Sequence, residues 1–366
     1  MRLFVITGFF VILSASASFT EACTGITIRA ANGDVVFCRT LEFDASFVPS
    51  EILVYPRNHS FKAALPDSAP GMSWKGKYGV AGLGIIPLQS YTDAMNEKGL
   101  IAGIFYHEYY AQYAAYSKDR ADRCISPADV VSFILSTCEN IEEVKQALEK
   151  VDVVSVEDYA PGIPVELHYI VTEPGGKQVV IEYSDGKPKF FESKVGVITN
   201  SPNYDWHLTN LGNYTRLPSP ELLEQRMGDY TTRALDTGTD LIGLPGDYTS
   251  TSRFVRAAVL TYYVRKVPDA KEAVYQAFQI MDSFNVPVYG GGPDNRETDR
   301  ARSETCWTMA HDLKHRTFYY HTSADRTVQK VDVSKIDFDK LAEPVHRKLD
   351  NGEMTIIDRT EEIMEK

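Results

Sequence analysis

Cys23 follows directly on an apolar leader, and its position gives it chemical interest. Removal of residues 1–22 would leave it as the first residue, carrying a thiol and a free α-amino group together. The thiol is a soft nucleophile, and the amine, with an unperturbed pKa of about 7.7–8.0, can take its proton near neutrality. Arg39 ends a run that returns toward Cys23, and Glu42 and Asp44 lie just beyond it. A guanidinium near the sulfur favours thiolate; an arginine there can also anchor a carboxylate. Glu42 or Asp44 is placed to hold the new ammonium group, or to form a surface ion pair. Asn200 sits where a strand-like run ends in Thr199-Asn200-Ser201-Pro202-Asn203-Tyr204-Asp205-Trp206-His207. Its amide can donate to a developing oxyanion, although Asn and Pro there are also ordinary turn-formers. Arg253 falls in the first turn of a helix that follows Gly243 to Ser252, where the dipole mildly disfavours a cation. The run Tyr106-His107-Glu108-Tyr109-Tyr110 reads as the mouth of a substrate site or as a packed loop.

Met1 to Ala22 has the organisation of a secretory signal: Arg2, an apolar run from Leu3 to Leu13, then small residues from Ser14 to Ser18 ahead of the Cys23 junction. The run is shorter than the roughly 20 apolar residues of a membrane span. The expectation is an exported, periplasmic or extracellular protein with a free N-terminal Cys23. The rival is a lipid-anchored binding protein acylated at Cys23, although Thr20 and Glu21 are unlike the residues that usually precede a lipoprotein cysteine. The net charge of -12 argues against a nucleic-acid partner, since phosphate binding needs clustered Lys and Arg. No cofactor is implied. Gly290-Gly291-Gly292 lacks the Gly-Lys-Ser/Thr of a phosphate loop. His311 and His315 have H-x-x-x-H spacing, but Asp312 stands where a zinc protease needs Glu, and the pair reads as a solvated turn, with no metal expected. Besides Cys23 the chain has Cys38, Cys124, Cys138 and Cys306, which read as buried small hydrophobes, with up to two disulfides allowed in an exported chain.

These residues need elements to position them. Thr24 to Arg29 and Val35 to Arg39, joined by Ala31-Asn32-Gly33-Asp34, predict a hairpin. Strands are predicted at Glu51 to Tyr55, Tyr78 to Ile86 and Leu100 to Tyr106, with Leu65 to Lys77 a loop. Helices start at Ser126-Pro127-Ala128-Asp129 and Asn140-Ile141-Glu142-Glu143. Strands follow at Val165 to Val171, Gln178 to Tyr183, Pro188 to Phe191 and Val195 to Thr199. Helices at Phe254 to Val264 and Lys271 to Met281 come next, then strands at Cys306 to Ala310, Thr317 to His321 and Val328 to Val333. Blocks of strands separated by helix pairs fit two sheets with helices outside better than an alternating βαβ wind. Residues 23–366 read as one domain, with 338–366 a charged, peripheral tail.

The motifs Cys23-Thr24-Gly25, Arg39-Thr40-Leu41-Glu42, Asn96-Glu97-Lys98-Gly99-Leu100, Thr199-Asn200-Ser201-Pro202, and Leu244-Pro245-Gly246-Asp247 with Ser252-Arg253-Phe254 occur in this order. Together they resemble the choloylglycine hydrolase family, which contains conjugated bile salt hydrolases and penicillin V acylases. The resemblance runs from Cys23 to about Thr322. It implies an α+β N-terminal nucleophile hydrolase with a four-layer α-β-β-α sandwich, often a homotetramer, acting on a small amide substrate. It makes Cys23 nucleophile and base, places Arg39 and Arg253 by the thiolate, and assigns the oxyanion to Asn200 with the backbone N–H of Tyr106. The family often has Asp where this chain has Glu42, so Asp44 is the alternative holder of the α-amine. Position 106 is Tyr, as in penicillin V acylases, where many bile salt hydrolases carry Asn.

Overall fold

A computed structural model describes residues 22–43, 49–65, 70–85, 90–156, 165–218, 224–235, 238–287 and 304–364. The leader up to Glu21, Asp44 and Gly290-Gly291-Gly292 lie outside the described residues. Two large antiparallel sheets form the centre. One runs in the order Val197–Ile198, Thr24–Arg29, Val35–Phe43, Glu304–Asp312, Thr317–Thr322, Gln329–Asp332. The other runs Lys187–Glu192, Gln178–Ser184, Leu167–Thr172, Ile101–Tyr106, Ser90–Asn96, Val80–Ile85, Ser50–Tyr55, Val345–Lys348. Helices α1 (Asp129–Thr137) and α2 (Ile141–Leu148) belong to the side of the second sheet. The short α3 (Tyr204–Asn210) precedes α4 (Ser250–Tyr263) and α5 (Ala270–Asp282), both of which pack on the first sheet.

Strand alternation makes this layering. In the second sheet Ile101, Phe105, Ile170 and Val180 join a core shared with Phe37, Ile198 and Met309 of the first sheet. The intervening Ala102, Tyr169, Val171 and Ile181 join Val130, Val131, Ile134 and Val144 of α1 and α2. The result is the expected four-layer α-β-β-α sandwich.

Several elements form for the reasons legible in the sequence. Gly33 adopts φ 88° in the hairpin turn, a left-handed conformation that glycine takes without steric cost. Asn140 Oδ1 accepts the Glu143 N–H at 2.9 Å, and Asp269 Oδ1 accepts that of Glu272 at 3.1 Å, capping α2 and α5. Other elements differ from expectation. Ser60–Ala64 and Pro70–Lys75 pair as a hairpin inside the stretch read as a loop. Ser90–Asn96 is a buried central strand despite its polar sequence, because its side chains have partners: Thr92 Oγ1 donates to the Leu83 carbonyl at 3.0 Å, and Asn96 Nδ2 to that of Leu135 at 2.9 Å.

The stretch from residue 338, read as a peripheral tail, is structural as far as Leu349. Val345–Lys348 pairs with the strand from Ser50 to form the edge of the second sheet, Val345 opposite Val54. Phe338 and Leu349 are buried in the core, and only from Asn351 onward is the described chain exposed throughout. Phe338 lies directly on the backbone of Gly79, where an added Cβ would come within 2.1 Å of its ring. Phe338→Ala is therefore expected to destabilise the fold by about 3–5 kcal/mol in denaturant titration. A loss below about 1 kcal/mol would return this segment to the periphery.

Candidate active site

Cys23 stands one residue before the first strand and is buried. The hairpin register sets Thr24 opposite Thr40 and Gly25 opposite Arg39. Gly25 permits close packing of this strand: a Cβ there would lie 2.9 Å from the Ile198 side chain and 3.0 Å from both Phe105 and Phe37. Arg39 and Glu42 are three residues apart on one strand, so they leave opposite faces of the sheet. Arg39 points into the sandwich. Its Nη1 donates to the carbonyls of Thr92 (3.1 Å) and Ile104 (2.6 Å), and its guanidinium lies over the Phe105 ring at 4.3 Å. Asp93 Oδ2 is 3.9 Å from Nη1, and Asp93 Oδ1 is hydrogen-bonded to His311 Nε2. Gly103 leaves room for this cluster; a Cβ on it would come within 2.6 Å of Asp93 Oδ2. Arg39 Nη2 is buried without a hydrogen-bond partner, a donor still available inside the site.

Glu42 faces the helix side. It accepts hydrogen bonds from the Thr40 and Thr305 hydroxyls, both at 2.9 Å. Thr40 Oγ1 in turn accepts the Thr24 N–H at 3.3 Å, linking Glu42 to the backbone beside Cys23. Burial pushes the Glu42 carboxyl up to about 7, against the opposing pull of Arg253, the two hydroxyls and Arg39.

Arg253 is fully buried at the start of α4, whose N-cap Thr249 accepts the Ser252 N–H at 3.4 Å. Its Nη1 donates to the Cys23 carbonyl and, at 2.9 Å, to Thr24 Oγ1. Its Nη2 donates to Asn200 Oδ1 at 2.7 Å, and Nε to the Tyr248 carbonyl at 2.8 Å. Asn200 is held on every side. Its N–H donates to Ser250 Oγ at 3.0 Å, its carbonyl accepts from His207 Nε2 at 3.0 Å, and its Nδ2 donates to the Tyr106 carbonyl at 2.9 Å. Tyr106 thus meets Asn200 through its backbone, while its ring packs against the outer apolar cluster under α1.

The structure therefore brings together Cys23, Arg39, Glu42, Asn200, Arg253 and the Tyr106 backbone. A thiol, two guanidiniums, a carboxyl poised near neutrality and an oriented carboxamide are groups that can serve acyl transfer by a cysteine. The aromatic run divides: Tyr109 is exposed, but His107 is fully buried. The loop containing Trp206 and His207 is helix α3, and His207 is buried within it. His311 is buried in a strand rather than in a solvated turn, and His315 pairs with Asp312 at 2.7 Å. Asp93, Thr305, His168 and Glu182 were not found from sequence. Their signal was a polar residue inside a strand that is otherwise continuously buried.

Among the described residues, one group has the composition of a metal site: His107, His168 and Glu182, with ligand atoms within 4.8 Å of one another. The two imidazoles are parallel at 6° and stacked 4.3 Å apart, so their in-plane lone pairs run side by side instead of converging. None of the five cysteines is in a disulfide, and all are buried. Burial raises the Cys38 and Cys124 thiols, pushes Cys138 up to about 11 and Cys306 up to about 12.

A family model described as linear amide C–N hydrolases, choloylglycine hydrolase family, matches residues 23–346. The chain is 32% identical over 323 residues to a bile salt hydrolase/transferase of Clostridium perfringens (87% of this chain, 94% of that protein). It is 25% identical over 293 residues to a penicillin V acylase of Pectobacterium atrosepticum (73% of this chain, 69% of that protein). The crystal structure of a mutant conjugated bile acid hydrolase from Clostridium perfringens superposes with a TM-score of 0.78 at 28% identity, covering 92% of this chain and 99% of that one.

The raised pKa of Glu42 has a definite sign for stability. With Ala22 still attached, the folded chain holds a proton that the unfolded chain releases between about 4.5 and 7. Stability from this group is therefore present below about 4.5 and lost as pH rises through about 7. In the uncleaved chain, Glu42→Gln should remove this fall, on the order of 3 kcal/mol between pH 4 and pH 8. Urea titrations at the two pH values check it; equal pH dependence in both proteins would show that Glu42 is ionised throughout.

Proposed function

Because the chain belongs to the linear amide C–N hydrolases of the choloylglycine hydrolase family, we propose that it is an exported cysteine amidase that cleaves conjugated bile salts. The observation that carries this reading is the Arg253 guanidinium, which joins the Cys23 carbonyl to the Asn200 carboxamide and so gathers nucleophile and oxyanion donor at one place. The family model's match begins at Cys23, which supports removal of residues 1–22 and a free α-amine there.

In the proposed reaction the α-amine takes the Cys23 thiol proton and the sulfur attacks the amide carbonyl carbon. The oxyanion so formed accepts from Asn200 Nδ2 and the Tyr106 N–H. Collapse breaks the C–N bond, the amine leaves with the proton from the α-ammonium, and a thioester remains. Water, giving its proton to the same α-amine, then attacks the thioester and releases the carboxylic acid. Arg253 on the helix side and Arg39 on the sandwich side favour thiolate, and Glu42 holds the ammonium form of Cys23. Glu42 is placed for this by Thr40, whose hydroxyl bridges it to the Thr24 amide.

Bile salts stand first on the 32% identity to a bile salt hydrolase/transferase across most of both chains. Penicillin V, or another N-acyl amide such as an acyl-homoserine lactone, is the second reading, motivated by Tyr106. The Tyr106 ring packs into the apolar cluster under α1, which weakens it as a determinant of choice. The proposal extends to a homotetramer in the periplasm or outside the cell.

Initial rates on a glycine-conjugated bile salt and on penicillin V test the reading, with Cys23→Ser as control. Preference for the bile salt, with turnover lost in the control, is expected. Preference for penicillin V would move the chain to the acylases, and turnover of neither would sink both substrates. Intact mass of the secreted chain should match a polypeptide starting at Cys23. A lipid adduct or extra residues before Cys23 would remove the free amine and the mechanism with it.

A further inference from the structure

At the end of the first strand away from Cys23, four cations line one cavity of about 400 Å³: Arg29, Lys194, Arg265 and Lys266. Among the described residues no carboxylate lines it. The chain as a whole carries a net charge of -12, so the cavity inverts the field of the molecule locally. Two of the four have an ordinary reason to be there. Arg265 and Lys266 follow the last turn of α4, where the helix dipole favours cations. Arg29 and Lys194 do not share it: Arg29 ends the first strand, and Lys194 precedes Val197–Ile198, which pairs with that strand. Like charges gathered from separate elements repel one another while the cavity is empty, and a bound anion relieves that repulsion.

The charges set the kind of anion. Lys194 and Lys266 are exposed and make no ion pair with any described residue. Arg265 Nη2 lies 3.3 Å from Glu272 Oε2, and Arg29 Nη2 donates to the Gly176 carbonyl. Four cations less the Glu272 carboxylate leave three positive charges. A lone carboxylate or sulfonate would match one of them. A phosphate monoester carries about -1.5 to -2 at neutral pH, on three strong acceptor oxygens.

The wall adds a second requirement. Gln276 Oε1 on α5 and Thr261 Oγ1 on α4 are buried without a hydrogen-bond partner. Gln276 Nε2 donates to the Arg265 carbonyl at 3.2 Å, which identifies Oε1 as the unserved end. That oxygen only accepts, so a phosphate oxygen cannot serve it and a hydroxyl can. Both residues are half-buried, and a small side-chain rotation turns their polar atoms to the cavity.

We propose that this cavity is a second binding site, for a small phosphate monoester that also carries hydroxyl groups. The phosphate is held by Arg29, Lys194, Arg265 and Lys266, and the hydroxyls meet Gln276 and Thr261. The strand from Thr24 to Arg29 spans about 17 Å and α4 from Arg253 to Thr261 about 12 Å, so the site is separate from Cys23. It touches the far end of the strand that starts beside Cys23, the stretch that leads toward Asn200, and the helix that starts near Arg253. A ligand that binds only the folded chain there stabilises all three together.

The test is calorimetric titration of the mature protein with glycerol 3-phosphate at pH 7.5, beside inorganic phosphate and glycerol. One saturable site is expected for the ester, with weaker binding of inorganic phosphate, none of glycerol, and loss of affinity as salt is raised. Lys194→Gln and Lys266→Gln alter exposed side chains and should each raise the Kd about tenfold. Thr261→Val should weaken the ester and leave inorganic phosphate as it was. The ester should also raise the Tm of the wild type, and raise it less in the two lysine variants.

No saturable binding and no rise in Tm overturn the site. An affinity unchanged in both lysine variants overturns its location. Inorganic phosphate bound as tightly as the ester overturns the hydroxyl-bearing class. Binding to vesicles containing phosphatidic acid, with none of free glycerol 3-phosphate, overturns the small molecule in favour of a lipid surface. Glycerol 3-phosphate has no amide bond, so failure here leaves the amidase reading intact, and failure of every amide substrate leaves this site intact.

Discussion

The burial of the Arg253 guanidinium is the constraint from which the site follows. A cation removed from water is costly unless its donors are satisfied and a counter-charge is near. Four hydrogen bonds satisfy it, to Cys23, Thr24, Asn200 and Tyr248, and Glu42 supplies the counter-charge. Burial still lowers Arg253 to about 10, so desolvation outweighs its partners. Those partners come from the first strand, from the strand end after Val197–Ile198 and from the turn before α4. Three segments distant in sequence are thus required to meet, and the place where they meet is the site.

Strand alternation then decides from which side each charge arrives. Arg39 belongs to the sandwich interior, ringed by Asp93, Phe105 and carbonyls of the opposite sheet. Glu42 and Arg253 belong to the layer under α4. The start of the first strand is where the two layers can both reach, so Cys23, the proposed nucleophile, stands at a strand terminus. A two-layer protein could supply one of these sides but not both.

The fold was legible wherever local signals carried it: Asn32-Gly33 for the hairpin, Asn140 and Asp269 for helix starts, and apolar runs for the central strands. It was not legible where pairing is purely long-range. Val345–Lys348 has a strand's conformation because the edge at Ser50–Tyr55 offers unpaired backbone groups, not because V-H-R-K favours it. Tyr204–Asn210 read as a loop because Asn203 and Pro202 announce a turn, while the helix depends on Glu182 receiving the Tyr204 N–H. At the site, Cys23, Arg39, Asn200 and Arg253 were visible as unusual residues near predicted ends. Asp93, His168 and Glu182 were passed over because each is a polar residue within a strand, where only the fold shows that such a side chain has found its partner.

The distribution of sulfur has a consequence for chemical selectivity. Thiolate is the form that meets oxidants, alkylating agents and other thiols, and burial keeps Cys38, Cys124, Cys138 and Cys306 protonated far above neutrality. Toward a thiol-directed electrophile that leaves the fold intact, a chain with five thiols behaves as one with at most one. Covalent modification of the native molecule therefore reports on Cys23 alone, and unfolding would be reported by the sudden accessibility of four more thiols.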